Sequence, residues 1–131
     1  MDLNILIVDD SGVMRKILIN LLKLSGLSMG RIAEAANGQE ALQILAQGGI
    51  GLVLADIHMP VMDGIEMFER LRADPRHIAL PFVFVSSDSS STRIHTLLDQ
   101  GAGFVHKPLS PELLLEAITQ VTSGPGGDRE C

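Results

Sequence analysis

Cysteine is nearly absent. The single thiol, Cys131, is the last residue of the chain, so no disulfide can tie the domain to itself. A reducing, cytoplasmic location is the expectation that follows. Basic runs are missing too. Ten Lys and Arg stand against sixteen Asp and Glu, for a formal net charge of −6. That balance disfavours direct binding to a nucleic-acid backbone. The opening MDLNILIVDD carries acids where a secretory signal would carry Lys or Arg. No apolar run approaches the ~18 residues that a membrane span needs. Internal repeats and a second compositional block are also lacking. With 131 residues, one domain can bury roughly two-thirds of its unfolded surface, enough for a core without staples.

What the sequence has is alternation. Leu3–Val8 is β-branched-rich and reads as a strand that stops at Asp9 and Asp10. Ser11 can cap a helix whose apolar positions are Val13, Met14, Ile17, Leu18, Leu21 and Leu22, with Gly26 ending it. A weak strand is expected from Arg31 to Ala35. Asn37-Gly38 opens a second helix, which Gly48-Gly49 closes. The third strand, Ile50 to Ala55, delivers Asp56, and a helix from Ile65 to Arg72 follows until Asp74-Pro75. A fourth strand runs from Pro81 to Val85 and ends at Ser86-Ser87. A more polar helix from Thr92 to Gln100 leads to a fifth strand, Gly103 to His106, ending at Lys107. Ser110, Pro111 and Glu112 start a last helix through Val121. The domain is expected to span residues 1–121, with 122–131 a flexible tail or linker start. Five strand–helix units in strict order imply an α/β fold, a parallel sheet covered by helices on both faces.

All strands of a parallel sheet point one way, so their C-terminal ends share an edge, where ligands bind. This chain puts Asp9, Asp10, Asp56, Ser86 and Lys107 there, each straight after an apolar run. Two like charges about 4 Å apart repel by roughly 4 kcal/mol at an effective dielectric near 20. Three such acids must partly protonate or be held by a cation. A hard divalent ion such as Mg2+ suits an all-oxygen site. An acid nucleophile, Mg2+, an ammonium and a hydroxyl are the parts that phosphoryl transfer to a carboxylate requires.

The motifs IVDDSG, ADIHMPVMDG, VSS and GFVHKP resemble those of the receiver domains of two-component response regulators. The similarity runs from about Leu3 to Val121. DDSGVMRK is similar to single-domain chemotaxis receivers in particular. The resemblance implies a doubly wound, flavodoxin-like sheet of order 2-1-3-4-5 with five helices on both faces. The strand-edge rule counts a chemotaxis receiver among its own examples, so it gives no independent support.

It further implies that Asp56 accepts a phosphoryl group from a histidine kinase or histidine phosphotransfer protein. Asp10, Asp56 and the His58 backbone carbonyl would ligate Mg2+, and Asp9 would act through water. Ser86 and Lys107 would bind the phosphoryl group. Phe104 matches an aromatic switch position, here without a hydroxyl. The face formed by the fourth helix, fifth strand and fifth helix would be read by an output protein. The Lys107–Pro108 peptide would be cis. Such a chain is no enzyme, apart from catalysing its own phosphorylation and dephosphorylation, and is a monomer or weak dimer.

Some alternatives stay open on the sequence. Ser87 replaces Ser86 if the strand is one residue longer. His58 and Asp88, each two residues past a site residue, are candidates to tune the lifetime of the phosphorylated state. Arg15 and Lys16 read as solvated charges, with docking of an acidic phosphodonor as the alternative. The chain could also be a receiver cut from a longer regulator. A Mg2+-dependent phosphohydrolase working through an aspartyl phosphate is a rival, although His58 stands where such enzymes usually place a second acid. An interaction module that has lost phosphorylation is the other.

Overall fold

The computed structural model describes residues 2–107 and 109–123. Strands and helices alternate along it: β1 (Leu3–Val8), α1 (Gly12–Leu24), β2 (Met29–Ala35), α2 (Gly38–Ala46) and β3 (Leu52–Ala55). Then come α3 (Gly64–Arg72), β4 (Phe82–Ser86), α4 (Ser91–Asp99), β5 (Gly103–His106) and α5 (Pro111–Ser123). The strands pair in parallel in the order β2-β1-β3-β4-β5. This is the flavodoxin-like order that the resemblance implies.

Successive strand residues face opposite sides of the sheet, and both sides are covered here. Leu6, Val8, Val53, Ala55, Phe82 and Phe84 pack under Ala41, Met67, Phe68 and Leu97 of α2, α3 and α4. Ile5, Ile7, Leu54, Val83 and Val85 pack under Leu18 and Leu22 of α1 and Leu114 and Ile118 of α5. Burial on both faces explains why the central strands read as continuous apolar runs. Phe68 meets Phe82 and Phe84 edge-on, with ring centroids 5.0 and 5.5 Å apart. Side chains of Ser11, Asn37, Asp63, Ser90 and Ser110 each accept a backbone N–H in the first turn of their helix. Each such cap contributes about 1 kcal/mol.

Several expectations shift, among them the start of β2, at Met29 rather than Arg31. The apolar residues of α1 do not form one buried stripe: Val13 is 72% and Ile17 44% exposed. A helix lying on a sheet buries a single face. Leu18 and Leu22 occupy it, and five residues of separation turn Val13 and Ile17 about 140° away from them. Strand β3 starts at Leu52 rather than Ile50, although Gly51 N already donates to the Asn4 carbonyl of β1, at 2.9 Å. Helix α5 continues two residues past Val121 to Ser123. The rest of the expected tail and the Lys107–Pro108 peptide lie outside the described residues.

Candidate functional site

Backbone pairing continues one residue past the strands, and those next residues are two acids and the lysine. Asp9 N donates to the Ala35 carbonyl at 3.1 Å, Asp56 N to Val8 at 3.0 Å, and Lys107 N to Ser86 at 3.1 Å. The sheet itself therefore fixes where these side chains start. One carboxylate oxygen from each of Asp9, Asp10 and Asp56 lies within 4.8 Å of the other two. Lys107 Nζ sits 3.3 Å from Asp56 Oδ2 and 3.6 Å from Asp9 Oδ2. The acids and the lysine expected to meet do meet.

They differ in exposure. Asp9 is buried, Asp56 half-buried, and Asp10 faces solvent at the rim. Burial pushes the Asp9 carboxyl above the usual carboxylate range. Its hydrogen bond from Ser11 N (2.9 Å) and the Lys107 ammonium oppose this, while Asp56 and Asp10 add to it. Asp56 Oδ1 accepts the N–H of Ile57 at 2.7 Å, and Oδ2 is the oxygen turned to Lys107. Three clustered carboxylates, one of them buried, form a donor set suited to a hard divalent cation.

The loop after Asp56 is built to be short. Asp63 caps α3 by accepting Glu66 N at 2.8 Å. Gly64 N donates to the Ile57 carbonyl at 2.8 Å, and Gly38 N to that of Met62 at 2.9 Å. Between them, Val61 adopts φ 69°, a left-handed conformation that β-branched residues avoid. Proline and aspartate–glycine thus fold the chain back at once, leaving Asp56 at the open edge.

On the neighbouring tips, Ser86 is buried and pairs with His106 in register, whereas Ser87 is exposed. Ser86 Oγ accepts Asp88 N at 3.2 Å and keeps its own hydrogen to donate. It makes no hydrogen bond to Asp56. His58 Nε2 lies 3.0 Å from Asp88 Oδ2, and Arg93 also donates to that oxygen. Asp88 is held below the usual carboxylate range, first by the Ser90 N–H and then by His58 and Arg93. Phe104 is half-buried against the α2–α4 side of the core, its ring 4.8 Å from that of His106.

Sequence reasoning missed the pairing of Arg93 with Asp88 and the anchoring of Arg15. Arg15 Nη1 donates to the Asp9 carbonyl at 2.5 Å and Nε to Glu34 at 2.8 Å. Its guanidinium is thus tied to the end of β1 and to Glu34 of β2 rather than freely solvated. The i, i+4 spacing of α1 puts Arg15 a half-turn from Val13, on the sheet side, which is the signal that could have shown this.

An acid cup at the carboxyl edge of a 2-1-3-4-5 sheet, with one lysine reaching into it, defines a receiver-type α/β domain. The chain belongs to the response regulator receiver domain family, whose model matches residues 5–119. It is a receiver domain of two-component phosphorelay signalling, a signalling protein rather than a classical enzyme. It is 36% identical over 120 residues to the chemotaxis protein CheY of Pseudomonas aeruginosa, covering 91% of this chain and 95% of that protein. Among solved structures it resembles Vibrio cholerae CheY4, with TM-score 0.79 and 28% identity over 92% of this chain and 99% of that one. It also resembles a chain of the CheX–CheY–BeF3–Mg2+ complex of Borrelia burgdorferi. There the TM-score is 0.79 and identity 28%, over 89% of this chain and 87% of that one. No helix among the described residues is long and apolar enough to cross a membrane.

Proposed function

We propose that Asp56 accepts a phosphoryl group from a phosphohistidine on a histidine kinase or histidine phosphotransfer protein, in a Mg2+-dependent step. The observation that carries this reading is the joint position of Asp56. One of its oxygens lies 3.3 Å from Lys107 Nζ, inside a cluster of three carboxylates. An Asp56 oxygen attacks phosphorus, the P–N bond breaks, and its electron pair leaves with the imidazole. Asp10, Asp56 and the His58 carbonyl would hold Mg2+, with Asp9 acting through a water. The ion, when bound, offsets charge on the phosphoryl oxygens. A relative solved with Mg2+ and a beryllofluoride group supports the same assignment.

Lys107 then pairs with one phosphoryl oxygen, and the Ser86 hydroxyl turns to another. The Ser86 contact exists only in the phosphorylated state, so it supplies the differential energy that shifts the population. A hundredfold shift needs ~2.7 kcal/mol, within reach of one or two charge-assisted hydrogen bonds. Phe104 follows by packing alone. The α4–β5–α5 face is where an output protein reads the change. Exposed Leu98 and Leu113 lie on it, beside a cavity of about 350 Å³ lined by Phe104, His106 and Leu113. Catalysis is confined to the protein's own phosphorylation and dephosphorylation, in the cytoplasm.

The test is labelling with radioactive phosphoramidate and Mg2+. The wild type is expected to take up one phosphoryl group and Asp56→Ala none. Undiminished labelling of Asp56→Ala would move the acceptor elsewhere.

A further inference from the structure

Helix α1 carries three basic residues, and only one of them is drawn inward. Lys16 and Lys23 are exposed, whereas the Arg15 side chain is only 21% exposed. Its planar guanidinium aims two donors in two directions, Nη1 at the Asp9 carbonyl (2.5 Å) and Nε at Glu34 Oε1 (2.8 Å). Glu34 pairs in register with Ile7 of β1, so it rises on the sheet face that α1 covers. Arg15 Nη2 lies 3.4 Å from where a β-carbon on Gly12 would stand. The guanidinium thus lies against the backbone that leads from the acids into α1.

The carbonyl it holds joins two members of the acid cluster. The Asp9 C=O and the Asp10 N–H belong to one rigid peptide plane. Every other polar group of Asp9 is held as well: N by the Ala35 carbonyl, Oδ1 by Ser11 N, and Oδ2 by the Lys107 ammonium 3.6 Å away. Asp10 differs. Its carboxylate is exposed, and no ion pair or hydrogen bond among the described residues fixes it. Its direction follows from the peptide plane that Arg15 holds and from the Ser11 cap beyond it. Glu34 has a second effect. A bare guanidinium beside the carboxylate cluster would repel a divalent cation, and Glu34 offsets that charge while leaving the donor to Asp9 in place.

We propose that Arg15, locked by Glu34, is a positioning residue for the Mg2+ site. It sets the Asp9–Asp10 peptide and, through it, the two carboxylates on either side. Neither Arg15 nor Glu34 is itself a ligand. Groups that orient metal ligands in this way typically govern roughly 10–100-fold in metal affinity. The proposal rests on the reading of the cup as the Mg2+ site that serves Asp56, and the two can fail separately.

The experiment measures Mg2+ binding by isothermal titration calorimetry, with no phosphodonor present, on wild type, Arg15→Met, Arg15→Lys and Glu34→Gln. All are compared well below their melting temperatures. Arg15→Met is expected to weaken Mg2+ binding at least ~10-fold. Charge alone predicts the opposite sign, because the substitution removes a cation beside the site. Arg15→Lys keeps a donor for the Asp9 carbonyl but not the fixed fork, so it should recover part of the loss. Glu34→Gln should weaken binding less than Arg15→Met, and added salt should reverse part of its effect. Arg15→Met that binds Mg2+ as tightly as wild type, or more tightly, overturns the proposal even if it melts lower, since Arg15 then only braces the fold. Should Arg15→Met not fold, Glu34→Gln decides at a partly exposed side chain, and unchanged Mg2+ affinity there overturns the proposal. A wild type that binds Mg2+ but that phosphoramidate cannot label defeats the phosphoacceptor reading instead, and leaves the part of Arg15 in the metal site standing.

Discussion

Gly64 stands so close to Asp56 that a β-carbon on it would lie 2.1 Å from the Asp56 carbonyl oxygen. The clash would be with backbone, so no rotamer can relieve it. Gly64→Ala must therefore move either the first turn of α3 or the tip of β3. Urea unfolding is expected to show a loss of about 1–3 kcal/mol, the usual range for overpacking. Labelling of Asp56 by phosphoramidate should slow as well, because the displaced atoms belong to the acceptor residue itself. A variant as stable and as readily labelled as wild type would show that the loop absorbs the methyl group.

That contact also shows what could be read in advance. Apolar runs ending in Asp9, Asp56, Ser86 and Lys107 announced the strand edge, because parallel strands can share only one such edge. The Asp-Gly pair marked a break in the chain, and the structure makes Asp63 the cap of α3. What remained hidden depends on rotation and on distant partners. Counting apolar residues in α1 could not say that Val13 and Ile17 turn outward, since the pattern fits two faces of the helix. The pairing of Arg93 with Asp88 is set by the path of the β4–α4 loop, which no local spacing fixes. Gly38 looked like a helix opener, yet it also leaves room for Met62, whose side chain a β-carbon would meet at 2.9 Å.

Val61 holds φ 69° with its side chain 73% exposed. A left-handed conformation costs a non-glycine residue about 1–2 kcal/mol, less for asparagine, whose short polar side chain tolerates it. Little burial offsets that cost here. Val61→Asn is expected to raise stability by about 1 kcal/mol in urea unfolding. Val61→Gly should gain less, because glycine also loosens the unfolded chain. If both variants are less stable than wild type, the strain is not borne by this residue.

Asp9 is ionisable, buried and flanked by two other acids. Its folded-state pKa lies above the unfolded value, near 3.8. The folded state thus holds this proton more tightly, and the contribution of Asp9 to stability falls as pH rises through that window. At neutral pH without metal, Asp9 therefore opposes folding. Asp9→Asn keeps an oxygen for Ser11 N and should melt higher by roughly 4 °C, about 1 kcal/mol for a chain of this size. The gain should shrink on acidification toward the ordinary carboxylate range. Millimolar Mg2+ should raise the melting temperature of the wild type more than that of the variant. A variant that melts lower at neutral pH, or responds equally to Mg2+, would contradict this account of the cup.

His58 reaches across the mouth of the site to Asp88, which Arg93 holds from α4. The shared carboxylate oxygen accepts from His58 Nε2 when the proton sits there, and Nδ1 is then free to accept a proton. The imidazole is 67% exposed and stands two residues beyond Asp56, where water must enter to hydrolyse an acyl phosphate. A base so held speeds attack by water, and its loss should lengthen the life of the phosphorylated state. In His58→Asn, phosphate release from the phosphorylated protein is expected to slow at least ~10-fold, a modest share of what positioned bases contribute. Arg93→Ala leaves the imidazole in place but frees Asp88 from one partner, so its effect should be smaller. The assay is release of radioactive phosphate after removal of phosphoramidate, with Mg2+ held constant. An unchanged rate in His58→Asn removes the imidazole from the chemistry and leaves only its backbone carbonyl at the site.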